Sequence, residues 1–224
     1  IAMGDGGEGN DTQYKVSGAV ETLCAAKSDE FGDGCEHVLY LGDNFYDSGV
    51  DSIEDSQFQE KFELPYANLT IPFYVVLGNH DYGATSLEFW KNQYEIDYTA
   101  HSSIWNMPDT HYTFAVEHVR FYGLGTNALM LEGVWGDSDQ DTWMQGAQST
   151  ATEDWQIAFG HHPYFSNGQH GNAGEYEGYD WLPIANGATV KAFMDDNFCG
   201  KVDLYVSGHD HNRQWLEPTC GTEF

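Results

Sequence analysis

Basic side chains are what this sequence most lacks: 8 Lys+Arg stand against 36 Asp+Glu, a formal net charge of −28 over 224 residues. Nucleic acid and anionic membranes are therefore expected to be poor partners, because non-specific binding to either relies on Lys and Arg. Most of the acids serve solubility, as they would in a salty medium. The scarcity also sets a condition. A site for an anion needs local positive charge that these side chains scarcely supply, and bound cations would supply it. Long apolar runs are absent too: none approaches the ~18 residues of a membrane span. No basic, apolar and small-residue leader is present, and Ile1 falls in what reads as mid-strand, so the chain is expected to be a processed or trimmed product. Cysteine is sparse. Cys24, Cys35, Cys199 and Cys220 form no C-x-x-C pair, which argues against a thiolate zinc site. Two local bridges, Cys24 to Cys35 and Cys199 to Cys220, would suit an exported protein; other pairings and four free buried thiols stay open.

What is present is enough for a core: 41% of residues are hydrophobic, and the length suits one domain over 1–224. IAM (1–3), HVLYL (37–41), FYVVL (73–77), WQIAF (155–159) and VDLYV (202–206) read as strands, and YTFAV (112–116) with VRFYGL (119–124) as a hairpin across Glu117–His118. Helical spacing runs from Gln13 to Lys27 through Tyr14, Val16, Val20, Leu23 and Cys24. Further helix is expected within 51–69, 86–95 and 141–150 and around Val190, Phe193 and Met194, while 166–180 is a glycine-rich loop. Helices alternating with strands predict an α/β sheet with helices on its faces. Asn10 and Asn68 sit in N-x-T sequons, a weak hint of export.

The strands end alike. IAM is followed by Gly4–Asp5, HVLYL by Gly42–Asp43, FYVVL by Gly78–Asn79, WQIAF by Gly160–His161, and VDLYV-Ser207 by Gly208–His209 with His211 beyond. Each ending alone is ordinary turn chemistry. Repeated in this way, they place metal-binding side chains beyond strand carboxyl ends, where sites form in open α/β sheets. If the strands are neighbours, all the endings meet on one edge. Carboxylate, amide and imidazole donors without sulfur fit iron, zinc or manganese, and there are enough of them for two ions sharing a carboxylate.

GDGG (4–7), GDNFY (42–46), GNHD (78–81), GHHP (160–163) and GHDH (208–211) together resemble the calcineurin-like metallophosphoesterases. LGDNFYDSGV (41–50) resembles a narrower group, the small purple acid phosphatases related to tartrate-resistant acid phosphatase. The resemblance implies an αββα fold, two mixed β-sheets in a sandwich flanked by helices. Relatives continue beyond the last motif with strands of the second sheet, so that sheet is expected to be short here. It also implies a ferric site of Asp5, Asp43, Tyr46 and His211, and a divalent site (Fe, Zn or Mn) of Asp43, Asn79, His161 and His209, bridged by Asp43. The colour of the group comes from the tyrosine phenolate. FYGLGTNAL (121–129) departs from the pattern: Gly125 stands where the family commonly places an aspartate.

The implied reaction is hydrolysis of phosphomonoesters by a hydroxide generated at an Fe(III)–M(II) pair. His80 would protonate the leaving group or bind phosphate, and Asp81 would orient it. His170 is expected as a further catalytic and substrate contact, with His162 and Asn44 as substrate contacts. Asp137, Asp139 and Asp141 have calcium-loop spacing, but Thr142 and Gln148 stand where that loop wants glycine and glutamate, so they read as a solvated acidic loop. Partners are small phosphate esters, and the place of work is outside the cytoplasm. Two rivals stand beside this reading: a phosphodiesterase or nucleotide hydrolase with two divalent ions, and a metal- or phosphate-binding protein without turnover.

Overall fold

The computed structural model describes residues 1–31, 34–132, 139–176 and 186–224. They form two compact units, Ile1–Asp109 and Thr110–Phe224. In the first, β1 (Ala2–Met3), β2 (Val38–Leu41), β3 (Phe73–Val76) and β4 (Trp105–Asn106) lie in that order. All three pairings are parallel, with Leu39 beside Tyr74 and Tyr40 beside Val75. The strand carboxyl ends thus share one edge. In the second unit, β5 (Tyr112–Val116) and β6 (Val119–Gly123) form the expected antiparallel hairpin. β7 (Trp155–Phe159) and β8 (Leu204–Val206) then add in parallel, giving a mixed sheet in the order β5-β6-β7-β8. The recurrent endings therefore do not fall on one sheet edge. Those after β1, β2 and β3 belong to one sheet and those after β7 and β8 to the other, because the β5–β6 hairpin starts a new sheet.

Helix α1 (Asp11–Phe31) begins where Asn10 caps it: the Asn10 side-chain oxygen accepts from the N–H groups of Thr12 at 2.9 Å and Gln13 at 3.1 Å. Its inward face is not the apolar one that the spacing suggests. Gln13, Ser17 and Val20 are buried, while Tyr14, Val16 and Leu23 are exposed. Gln13 explains the rotation, since its amide donates to the Lys61 carbonyl at 2.6 Å and accepts from the Gly9 N–H at 2.7 Å. The helix expected over 86–95 is instead a 3-10 turn (Phe89–Lys91) leading into α2 (Asn92–Tyr98). In 51–69 the helical piece is short: a π-helical turn, Gln59–Glu63, entered through helical residues 57–58. The second unit carries α3 (Thr126–Met130), which has no clear sequence signal, then α4 (Gln140–Thr150) and α5 (Ala188–Asn197).

Each unit has its own core. In the first, Tyr40, Phe45, Phe58, Phe62, Phe73 and Trp105 are fully buried and meet largely edge to face, with Phe62 and Trp105 at 4.7 Å and 89°. In the second, Tyr122, Leu129, Met144, Phe193 and Phe198 fill the interior. The cysteine question resolves as the two local bridges, Cys24–Cys35 and Cys199–Cys220. No described helix is long and apolar enough to cross a membrane. Of the acidic triplet, Asp137 lies outside the described residues; Asp139 precedes α4 beside His111 at 3.4 Å, and Asp141 accepts from Asn197 at 2.7 Å.

Phe62 touches four rings of the first core. Phe62→Ala is expected to cost about 3–5 kcal/mol, read as a lowered urea midpoint. A loss under ~1 kcal/mol would show that this ring is not central to the packing.

Candidate metal centre

The first unit presents three oxygen donors together. The buried Tyr46 hydroxyl donates to Asp43 Oδ2 at 3.0 Å and lies 3.4 Å from Asp5 Oδ1. Burial, then the nearby Asp43 and Asp5 carboxylates, push the Tyr46 phenol upward, so the protein by itself holds it protonated. The other oxygen of Asp43 accepts from the His80 N–H at 3.0 Å, which ties the β2 ending to the β3 ending. Asn79 precedes the 3-10 turn His80–Tyr82 at that β3 ending. Close packing of this kind needs glycine at 78, since a Cβ there would fall 2.1 Å from Asp43 Oδ1. Asp5 and Asp43 both have left-handed backbone, with φ of 55° and 51°, as does His209 at 70°. Such conformations cost about 1–2 kcal/mol outside glycine, and they mark places where the fold holds a side chain in a set direction.

Asp81 has a different place from the one expected. It is fully buried, and its carboxylate accepts from three backbone N–H groups: Asn44 at 2.8 Å, Phe45 at 3.0 Å and Gly78 at 2.8 Å. It does not orient the His80 ring, whose Nδ1 lies 2.7 Å from the Asp47 carbonyl. A carbonyl only accepts, so Nδ1 carries the proton and Nε2 is left for other chemistry. Asn44 also changes role. It is buried, and its amide donates to the Val76 carbonyl at 2.9 Å and to Glu95 Oε2 at 3.0 Å. With both amide hydrogens spent inside the protein, it has none to offer a phosphate.

The second unit presents imidazoles. His161 is fully buried, and its Nε2 lies 3.1 Å from Nδ1 of His209. The two endings are stitched beyond the strands, by Gly160 N–H to the Val206 carbonyl at 3.1 Å and Gly208 N–H to the His161 carbonyl at 3.0 Å. The His170 ring lies 4.2 Å from that of His209. His211 is solvent-exposed on the following bend. His162 is buried rather than presented to substrate. Its Nδ1 pairs with Thr126 Oγ1 at 2.8 Å, and its ring packs 4.6 Å from His209. Burial, then His161 and His170, hold its pKa well below the usual imidazole range, so it is neutral packing behind the other two histidines.

Among the described residues, an amide side chain and not a carboxylate bonds Gly125. The Gln140 side chain holds its peptide at both ends, accepting from its N–H at 2.9 Å and donating to its carbonyl at 3.0 Å. A Cβ at 125 would fall 2.9 Å from the Thr110 carbonyl, so no side chain fits there without a shift. Thr126, the Asp47 carbonyl and Gln140 were not legible as site residues, although Asp47 and Thr126 lie within stretches that carry the resemblance.

Whether the residues suit metal can be tested on the donors. A phenol and two carboxylates within 3.4 Å in one unit are hard donors. Two ring nitrogens 3.1 Å apart in the other are close enough for bonds of ~2.1 Å from both to end on one cation. Both sets fit first-row cations.

Residues 11–213 match the calcineurin-like phosphoesterase family, and the chain belongs to it. It is 27% identical to tartrate-resistant acid phosphatase type 5 of Sus scrofa, over all of this chain and 67% of that protein. It is 29% identical to the Homo sapiens protein of the same name, over 85% of this chain and 60% of that one. To purple acid phosphatase 3 of Arabidopsis thaliana it is 32% identical, over 79% of this chain and 48% of that protein. Among solved structures, a Plasmodium protein described as GAP50, the anchor in the inner membrane complex, shares the fold with a TM-score of 0.69 and 20% identity. It is matched over 99% of this chain and 68% of that one. A purple acid phosphatase from yellow lupin (Lupinus luteus) gives 0.58 at 15% identity, over 95% and 37%.

Two buried carboxyls yield opposite expectations. Asp81→Asn turns an acceptor into an N–H facing backbone N–H groups and should cost ~3 kcal/mol in urea unfolding. Glu95 is raised well above its ordinary 4.5 by burial and then by the charge of Asp81, and its Oε1 lacks a hydrogen-bond partner among the described residues. A raised acid favours folding below pH ~4.5 and loses that contribution as pH rises. Glu95→Gln should therefore be more stable than the parent at pH 7, with the advantage vanishing near pH 4. An advantage that grows on acidification would contradict this sign.

Proposed function

We propose that the two units act as one metallophosphoesterase domain over 1–224, an acid phosphatase hydrolysing phosphomonoesters with an Fe(III) and divalent (Fe, Zn or Mn) pair. The observation that carries it is the convergence of the Tyr46 hydroxyl on Asp43 and Asp5. Iron would be held by Asp5, Asp43, Tyr46 and His211, and the divalent ion by Asp43, Asn79, His161 and His209. Such a pair supplies charge neutralisation for the phosphate and activation of water. This matters in a chain of net charge −28, where side chains alone would repel the substrate.

The remaining roles fall to protein groups. Asp81 fixes the backbone that carries Asp43, Asn44 and Gly78. The Asp47 carbonyl fixes the His80 tautomer, so that Nε2, once protonated, donates to the oxygen of the departing alcohol. His170, beside His209, contacts the phosphate ester. Small phosphate esters are the substrates. The two disulfides fit work in an oxidising compartment outside the cytoplasm.

One observation favours a second reading, binding without turnover: Gly125, held by Gln140, stands where the resemblance expects an aspartate. Purified protein separates the two. The first reading expects a violet colour that Tyr46→Phe bleaches, stoichiometric iron, and hydrolysis of an aryl phosphate lowered ~10²-fold or more by His80→Ala. It also expects that rate to be abolished by Asp43→Asn. Metal retention without turnover would establish the second. A colourless, fully active protein would replace iron by two divalent ions.

A further inference from the structure

Asp210, the residue between the two histidines of GHDH, has no part in the reading above, yet it is largely buried and fully engaged. Ser166 Oγ donates to its Oδ2 in a short hydrogen bond, and the His170 N–H donates to its Oδ1 at 3.0 Å. The direction of the first bond follows from counting. Ser166 Oγ already accepts from the Gly168 N–H at 2.9 Å and from Gln214 Nε2 at 2.8 Å, so its own hydrogen is left for Asp210. Both Asp210 oxygens therefore act as acceptors at once. Gly168 permits the approach, since a Cβ there would fall 2.2 Å from the Asp210 carboxyl carbon. The other end of Gln214 accepts from the Asn167 N–H at 2.7 Å, which closes the wrap.

We infer that Asp210 is the positioning residue for His170: it latches the Ser166–His170 turn, through Ser166 Oγ and the His170 N–H, to the β8 ending that carries His209. The same residue that follows one proposed ligand thereby sets the height and facing of the neighbouring ring, at 4.2 Å between centroids. The inference rests on the proposed role of His170 for its catalytic consequence, but not for its structural one.

Asparagine is the discriminating replacement. It keeps size and one acceptor, but it turns an N–H toward a serine oxygen that has no lone pair to spare. In the metal-loaded full-length protein, Asp210→Asn should speed amide hydrogen exchange at Gly168 and His170, with iron content unchanged. It should lower kcat for an aryl phosphate ~10- to 100-fold, the scale of a misplacement of about 1 Å. Added to His170→Ala, it should lower kcat no further. Ser166→Ala, which removes one arm of the latch and no charge, should show the same exchange signature more weakly. Unchanged exchange at both amides in both variants, full additivity with His170→Ala, or loss of iron in Asp210→Asn would overturn the inference. The role of His170 itself is judged separately, by the kcat of His170→Ala alone. Failure there leaves the exchange result intact.

Discussion

Asp43 holds the first unit's site together by a simple constraint: one carboxylate, at the end of a buried parallel strand, must be satisfied on both oxygens. One takes the Tyr46 hydroxyl and the other the His80 N–H, so the loops after β2 and β3 cannot move apart without stranding a buried acceptor. Asp81 repeats the device one layer deeper, with three backbone N–H groups on its two oxygens. Lys and Arg play little part in either. In a chain with 8 such residues, backbone N–H groups do the work that guanidinium and ammonium groups do elsewhere. The second unit uses the same arrangement around Asp210.

Carboxylates fixed in this way have a consequence for backbone conformation. Asp5, Asp43 and His209 adopt left-handed φ, which turn residues of their type tolerate better than branched ones. Each is the residue after a strand-ending glycine, or follows one directly in the Gly208–His209 pair, so the chain turns sharply within two residues. The strain is local and is offset by the bonds beyond it, such as Asp5 N–H to the Gly42 carbonyl at 3.0 Å.

The strands and their glycine endings were readable because a buried parallel strand is a short continuous apolar run, and glycine marks its stop. The two sheets came from the family resemblance and not from the strand pattern: nothing in the Glu117–His118 turn itself says that the hairpin starts a second sheet. Helix α1 misled for a physical reason. Its buried face is set by the polar Gln13, which bonds the backbone of 61, and apolar spacing carries no record of that. At the site, residue types with ligand chemistry were legible from the motifs. Their supports were not. Asn44 reads like a phosphate contact until both its amide hydrogens are traced to Val76 and Glu95. Asp81 sits next to His80 in sequence, yet consecutive residues of a tight turn face different ways.

Gly125 shows how far such supports reach. A motif comparison registers only a missing aspartate. In the fold the position is closed on three sides: Gln140 binds its N–H and its carbonyl, and the Thr110 carbonyl occupies the space of a Cβ. A side chain there would press on the Thr110 carbonyl at 2.9 Å, so that stretch of backbone would have to shift. The next residue, Thr126, begins α3 and holds His162 through both its backbone N–H and its ring. The clamp at 125 therefore seats the helix end that backs the imidazole pair of the second unit. The converged oxygens of Asp5, Asp43 and Tyr46, and the His80 ring held at Nδ1 by the Asp47 carbonyl, likewise take their directions from the backbone of the loops that carry them.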